Sequence, residues 1–149
     1  MAGDEPTAVN PVVWSALVVP SKTRAGAEIV FEVRARMAAG WTVHSMGAPD
    51  LAVDSSVPTF LTTLRLELPA GIEAIGDWEL PTARRLIDRP SVGAVYEGDA
   101  TFRRRLKIAE RLPSGTMGVE CEIGFQACDA NFCRRPEMLT VAVTIDVVE

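Results

Sequence analysis

Cys128 and Cys133, with four residues between them, are the residues of this chain best suited to chemistry. They stand in Gly124-Phe125-Gln126-Ala127-Cys128-Asp129-Ala130-Asn131-Phe132-Cys133-Arg134-Arg135-Pro136-Glu137, between two strongly alternating runs. The connection carries the turn formers Asp129 and Asn131, so it can fold back and bring the two Cα atoms to the ~4.4–6.8 Å that a disulfide spans. Three chemistries are open to such a pair. It can switch between dithiol and disulfide, because so small a closed loop is a poor entropic staple and a pair on a loop is open to a partner thiolate. It can be a structural hairpin disulfide in a secreted sandwich. It can also belong to a zinc site, for which Cys121, Cys128, Cys133 and His44 are the soft donors in the chain. Cys121 falls on the inward face of its strand, where a buried, unreactive thiol is expected.

Composition narrows the remaining choices. The chain has 149 residues, 48% of them hydrophobic, and a formal net charge of -5. That is enough apolar material for one cored domain, and we expect a single domain over 1–149 with 1–10 as a flexible leader. Intrinsic disorder is excluded by the hydrophobicity. An acidic chain with a pI near 5.0 repels phosphate, so no nucleic-acid partner is expected. Three cysteines allow at most one disulfide within the chain, and one histidine leaves little for a Ser-His-Asp triad or a multi-histidine metal site. The apolar stretch 12–19 is far shorter than the ~20 residues a membrane helix needs, so no membrane contact is expected of this domain. Met-Ala-Gly-Asp-Glu-Pro lacks the basic and apolar regions of a signal peptide and reads as a start methionine before an excised or mature domain.

The elements that must hold the cysteines alternate with period two. In 27–37, Ile29, Phe31, Val33, Ala35 and Met37 point one way and Glu28, Glu32, Arg34 and Arg36 the other. In 116–126, Met117, Val119, Cys121, Ile123 and Phe125 point inward, and in 139–147 Leu139, Val141, Val143, Ile145 and Val147 share a face. Further strands are expected over 12–19, 41–45, 59–68, 72–80 and 94–108, the last including the basic Arg103-Arg104-Arg105. Only 83–87 and 103–111 admit a helical reading, and the second alternates too well for one. Gly/Pro punctuation and the lack of a βαβ rhythm predict an all-β antiparallel sandwich.

Phe-Gln-Ala-Cys-Asp-Ala-Asn-Phe-Cys-Arg-Arg-Pro-Glu at 125–137 resembles the signature of the N-terminal domain of the DsbD family of bacterial thiol:disulfide interchange proteins. In that family a Tyr-Gln-(Ala/Gly)-Cys stretch precedes a short polar loop, a second cysteine and a Pro-Glu. Ala-Gly-Trp-Thr-Val-His-Ser at 39–45, Leu-Pro-Ala-Gly at 68–71 and Val-Tyr-Glu-Gly-Asp-Ala-Thr-Phe at 95–102 resemble further family segments in the same order. The resemblance implies an immunoglobulin-like β-sandwich with the redox pair Cys128–Cys133 near one end, Cys133 attacking the client and Cys128 resolving. It implies a periplasmic protein-disulfide reductase that takes electrons from a thioredoxin-like domain, itself reduced through a membrane-embedded domain. The clients it implies are disulfide isomerases and cytochrome c maturation proteins. No cofactor is needed, since the sulfurs are the redox centre.

The family also has a cap loop with an aromatic at its tip, whose equivalent here is 86–96 with Val95 or Tyr96 as the capping residue. Some members carry an acidic pair before that aromatic, where this chain has Gly93 and Ala94, leaving Asp88, Glu97 and Asp129 as substitutes. Trp41 either flanks the disulfide or packs in the core, and Phe132 belongs to the same surroundings. His44 either tunes Cys128 or fills space at a strand end. Arg134 and Arg135 beside Cys133 would favour a thiolate.

Overall fold

The computed structural model describes residues 5–7, 9–46, 61–85 and 94–149, and within these every regular element is a strand. The clearest alternation becomes β3 (Glu28–Met37), which lies between β1 (Val12–Val19) and β9 (Asp99–Ile108). With β6 (Ile72–Glu79) they form one antiparallel sheet, β1-β3-β9-β6. The second sheet is built on β10 (Gly115–Phe125), flanked by β12 (Glu137–Val148) and β5 (Thr63–Glu67), with β2 (Lys22–Arg24) parallel to β12 at its edge.

The two sheets close on one another because each has a single apolar face. Ile29, Phe31, Val33, Ala35 and Met37 are buried from one side, and Val119, Cys121, Ile123 and Phe125 from the other, in one core. Each large side chain so buried contributes about 1.5–3 kcal/mol relative to exposure. The opposite face of β3 and β9 carries paired charges: Arg103 Nε lies 3.0 Å from Glu32 and Arg105 3.6 Å from Glu28. The basic run of 103–105 is therefore largely partnered by its own sheet. The result is an immunoglobulin-like sandwich.

A third, small sheet sits at one end: β11 (Ala127–Cys128), β4 (Thr42–His44), β8 (Ala94–Glu97) and β7 (Arg84–Arg85), in that order. Two expectations are corrected here. The strand expected over 94–108 is two strands in different sheets, because Gly98 takes a φ of 70° and turns the chain between them. The possible helix at 83–87 is a strand at Arg84–Arg85, paired with β8, while 86–93 lie outside the described residues. Aromatic packing fixes the small sheet to the body of the domain. Tyr96 meets Phe102 edge-on with centroids 5.3 Å apart, and Trp14 packs against Phe102 at 6.1 Å and Phe125 at 5.3 Å.

Candidate redox site

Phe125 ends the core strand β10, and the chain then enters β11 and reverses. Cys128 and Cys133 are joined in a disulfide, with Cα atoms 4.0 Å apart, and they pair as an antiparallel bridge. Asp129 N–H donates to the Phe132 carbonyl at 2.9 Å, and Arg134 N–H donates to the Ala127 carbonyl at 2.8 Å. The reversal is as tight as its composition suggests, because Asp129 Oδ1 accepts the N–H groups of Asn131 and Phe132, each at 2.8 Å. Asp129 is thus a turn former by observation, its oxygen engaged with its own loop. Gln126 closes the base of the hairpin, its Nε2 donating to the Arg134 carbonyl at 3.0 Å.

The two cysteines differ sharply in access. Cys128 is 4% exposed, held against β4, whereas Cys133 is an exposed residue. Cys133, Arg134, Arg135 and Glu137 line an open depression in the surface. Phe132, 58% exposed, stands beside Cys133 and meets Trp41 edge-on at 5.9 Å. Trp41, half-buried, therefore both packs against the domain and flanks the cysteine turn. The Arg134 guanidinium is tied to the Val9 carbonyl at 2.8 Å, leaving exposed Arg135 as the cation turned to solvent near the pair.

Strand register divides the other expected residues between two faces. Ala127, Val43 and Tyr96 form one cross-strand row, and all three belong to the core. The adjacent row, Cys128, Thr42 and Glu97, must face the other way. Tyr96 therefore points away from the face that carries Cys128, and its hydroxyl accepts the Met46 N–H at 3.3 Å. Burial pushes the Tyr96 hydroxyl pKa above its ordinary value. Val95 shares the Cys128 face but is buried opposite His44 in β8, a strand removed from β11. Val95 and Tyr96, expected as the capping residue, both lie in the paired strand β8 and are buried. The rest of the expected cap, 86–93 with Asp88, lies outside the described residues.

His44 is buried on the Cys128 face, diagonal to Cys128 across the ladder, and its carbonyl accepts the Thr62 hydroxyl at 2.6 Å. Thr42 is the direct neighbour of Cys128, its hydroxyl 3.4 Å from the Cys128 carbonyl. Glu97 makes a two-pronged bond with Arg84, both contacts at 2.7 Å, and that bond holds its carboxyl below the ordinary range. As a candidate proton acceptor it is already committed to a cation. Cys121 lies between Leu66 and Val141 in the second sheet, fully buried, and burial pushes its thiol up to about 11. Among the described residues no three His, Cys, Asp or Glu side chains gather as a metal site.

Sequence reasoning missed Thr42 and the bridging role of Gln126. Gln126 occupies an outward strand position in the alternation, where a solvated amide is the ordinary reading. Its bond depends on the turn that follows, which the periodicity does not contain.

By sequence, no family profile and no characterised protein matches the chain. Solved structures do resemble it. The N-terminal periplasmic domain of ScsB from Proteus mirabilis superimposes with a TM-score of 0.51 at 9% identity, covering 93% of this chain and 47% of that one. The chain thus spans about half the length of that ScsB chain. The N-terminal domain of Neisseria meningitidis DsbD in its reduced form gives a TM-score of 0.47 at 13% identity, over 91% of this chain and 90% of that one. The major pilin subunit BcpA of Bacillus cereus gives 0.49 at 8% identity, over 93% of this chain and 41% of that one. At such identities a likeness speaks to the fold, and the fold of this chain is that of the ScsB N-terminal domain.

Proposed function

We propose that this domain exchanges thiols and disulfides with partner proteins through Cys128 and Cys133. The observation that carries the reading is a disulfide on a tight surface turn with one cysteine buried and the other exposed. A disulfide sulfur must be approached to be attacked, so access selects Cys133. In the loading direction, a partner thiolate attacks the Cys133 sulfur, the Cys128–Cys133 bond breaks, and Cys128 leaves as thiolate. A second partner thiol then attacks the mixed disulfide and releases Cys133. In the delivery direction, Cys133 thiolate attacks a client disulfide and expels one client thiolate. Cys128 then attacks Cys133, re-forms the intramolecular bond and frees the second client thiol. Two electrons and two protons have moved, with no cofactor.

The resemblance of 125–137 to the DsbD family signature supports a narrower form of this proposal. The domain works in a bacterial periplasm, receives electrons from a thioredoxin-like module fed through a membrane-embedded domain, and passes them to disulfide isomerases or cytochrome c maturation proteins. The competing reading is an immunoglobulin-like interaction module whose disulfide is structural. The reduction potential of the pair separates the two. Equilibration with glutathione or dithiothreitol buffers should give a value in the range of exchange proteins, above about -300 mV. A value below that would assign the bridge a structural role and overturn the proposal.

A further inference from the structure

We propose that Gln126 and Asp129 are positioning residues that keep the two cysteines in register when the disulfide is open, and so set how strongly the pair favours its oxidised form. This deepens the exchange reading and takes its biological sense from it. The covalent link is enclosed by two non-covalent ties. Outside it, the Gln126 amide donates to the Arg134 carbonyl at 3.0 Å, joining the residues that flank the pair. Inside it, Asp129 Oδ1 accepts from Asn131 and Phe132 N–H at 2.8 Å each and fixes the turn. Backbone bonds from Arg134 N–H to the Ala127 carbonyl at 2.8 Å and from Asp129 N–H to the Phe132 carbonyl at 2.9 Å complete the frame.

None of these bonds uses a sulfur atom, so all can outlast cleavage of the disulfide. A dithiol on an unrestrained loop of this length samples many separations. Held in this frame, each thiol stays near the other at a high effective concentration. The ties and the disulfide close the same hairpin, so each favours the other, and the coupling is reciprocal. Removing a tie must therefore weaken the disulfide. It must also slow the step in which Cys128 attacks a mixed disulfide on Cys133, since that attack needs the same approach. Hydrogen bonds that merely stabilised the fold in both redox states equally would do neither.

The test uses glutathione. Two glutathione thiols give two electrons to the Cys128–Cys133 bond and become glutathione disulfide, while their two protons pass to the cysteine sulfurs. Gln126→Leu removes the donor at similar volume, and Asp129→Ala removes the turn acceptor. Each should lower the equilibrium constant for the oxidised domain by about threefold to tenfold, the factor that one hydrogen bond carries. Asp129→Asn keeps Oδ1 and should stay within about twofold of the parent. Circular dichroism and thermal melts in both redox states establish that each variant is folded. Should Gln126→Leu fail to fold, the contrast between Asp129→Ala and Asp129→Asn decides alone. Folded variants with unchanged equilibrium constants would overturn the inference. Shifted constants without exchange between the domain and a thioredoxin-like protein would sustain it and overturn the exchange reading instead.

Discussion

Cys121 and Cys128 are both buried and lie close in sequence, yet their surroundings are chemically opposite. Cys121 sits mid-strand with paired strands on both sides, Leu66 and Val141 being its cross-strand neighbours. Cys128 sits in a two-residue strand at the edge of the small sheet, paired with β4 on one side and with its own hairpin on the other. Under the proposed function, burial alone does not make a thiol inert here. What separates the two is that Cys128 is bonded to a residue that solvent and proteins can reach.

The contrast is broken most severely at the pair itself. Cys128→Ala leaves the exposed Cys133 without a resolving thiol, so a mixed disulfide with a thioredoxin-like protein should accumulate and turnover should stop. Cys133→Ala leaves only the buried Cys128, and trapping should be weak. Non-reducing electrophoresis of each reduced variant after incubation with the oxidised partner, whose disulfide the free thiolate attacks, reads the difference. Stronger trapping by Cys133→Ala would reverse the assigned roles while leaving the redox reading intact.

The small sheet comes next, because its position depends on one aromatic anchor. Tyr96 packs edge-on against Phe102 in the core, so Tyr96→Ala should cost about 3 kcal/mol or more of unfolding free energy. Tyr96→Phe, losing only the bond from Met46 N–H, should cost about 1 kcal/mol. Urea unfolding measures both. A Tyr96→Ala protein with parental stability and faster reduction by dithiothreitol would make Tyr96 a cap residue rather than an anchor.

These two cases show where the sequence was legible and where it was not. The inward residues of β3 and β10 follow from period-two alternation alone, because a sheet with one buried face writes its register into the chain. The Cys-x4-Cys turn was legible because Asp129 and Asn131 are turn formers with a known mechanism. The place of Tyr96 in the small sheet was not legible, because alternation cannot say to which sheet a strand belongs. The break at Gly98 puts β8 in the small sheet, while Tyr96 keeps the inward parity of Ala100 and Phe102. The pairing of Cys128 with Thr42 was equally out of reach, since β11 and β4 are each too short to carry a period.

At Cys121 the expected effect is on reactivity. With its pKa pushed from 9.0 to about 11, the thiolate fraction at pH 8 falls about a hundredfold, before any steric protection is counted. Alkylation of the native oxidised protein with iodoacetamide, followed by mass spectrometry, should leave Cys121 unmodified until the protein is unfolded. Rapid labelling at pH 8 would place the thiol at the surface and undo the register of β10.

The smallest effect is expected at Glu97, in the row with Cys128 and Thr42 but at its exposed end. A carboxylate two strands from a forming thiolate should oppose ionisation, yet the Arg84 guanidinium lies against it and cancels most of its field. Both side chains are half exposed, and such pairs contribute about 0.2–1 kcal/mol, less at high salt. Glu97→Gln should therefore lower stability by about 0.5 kcal/mol or less, and change the rate of exchange less than about twofold. The sign with pH follows from the lowered carboxyl pKa. The contribution is present above the ordinary value of 4.5 and is lost as pH falls through the lower folded value. Comparing parent and Glu97→Gln unfolding at pH 7 and pH 3 should show the difference shrinking with acid. A large fall in exchange rate for Glu97→Gln at pH 7, with stability retained, would instead make Glu97 a proton carrier for Cys128.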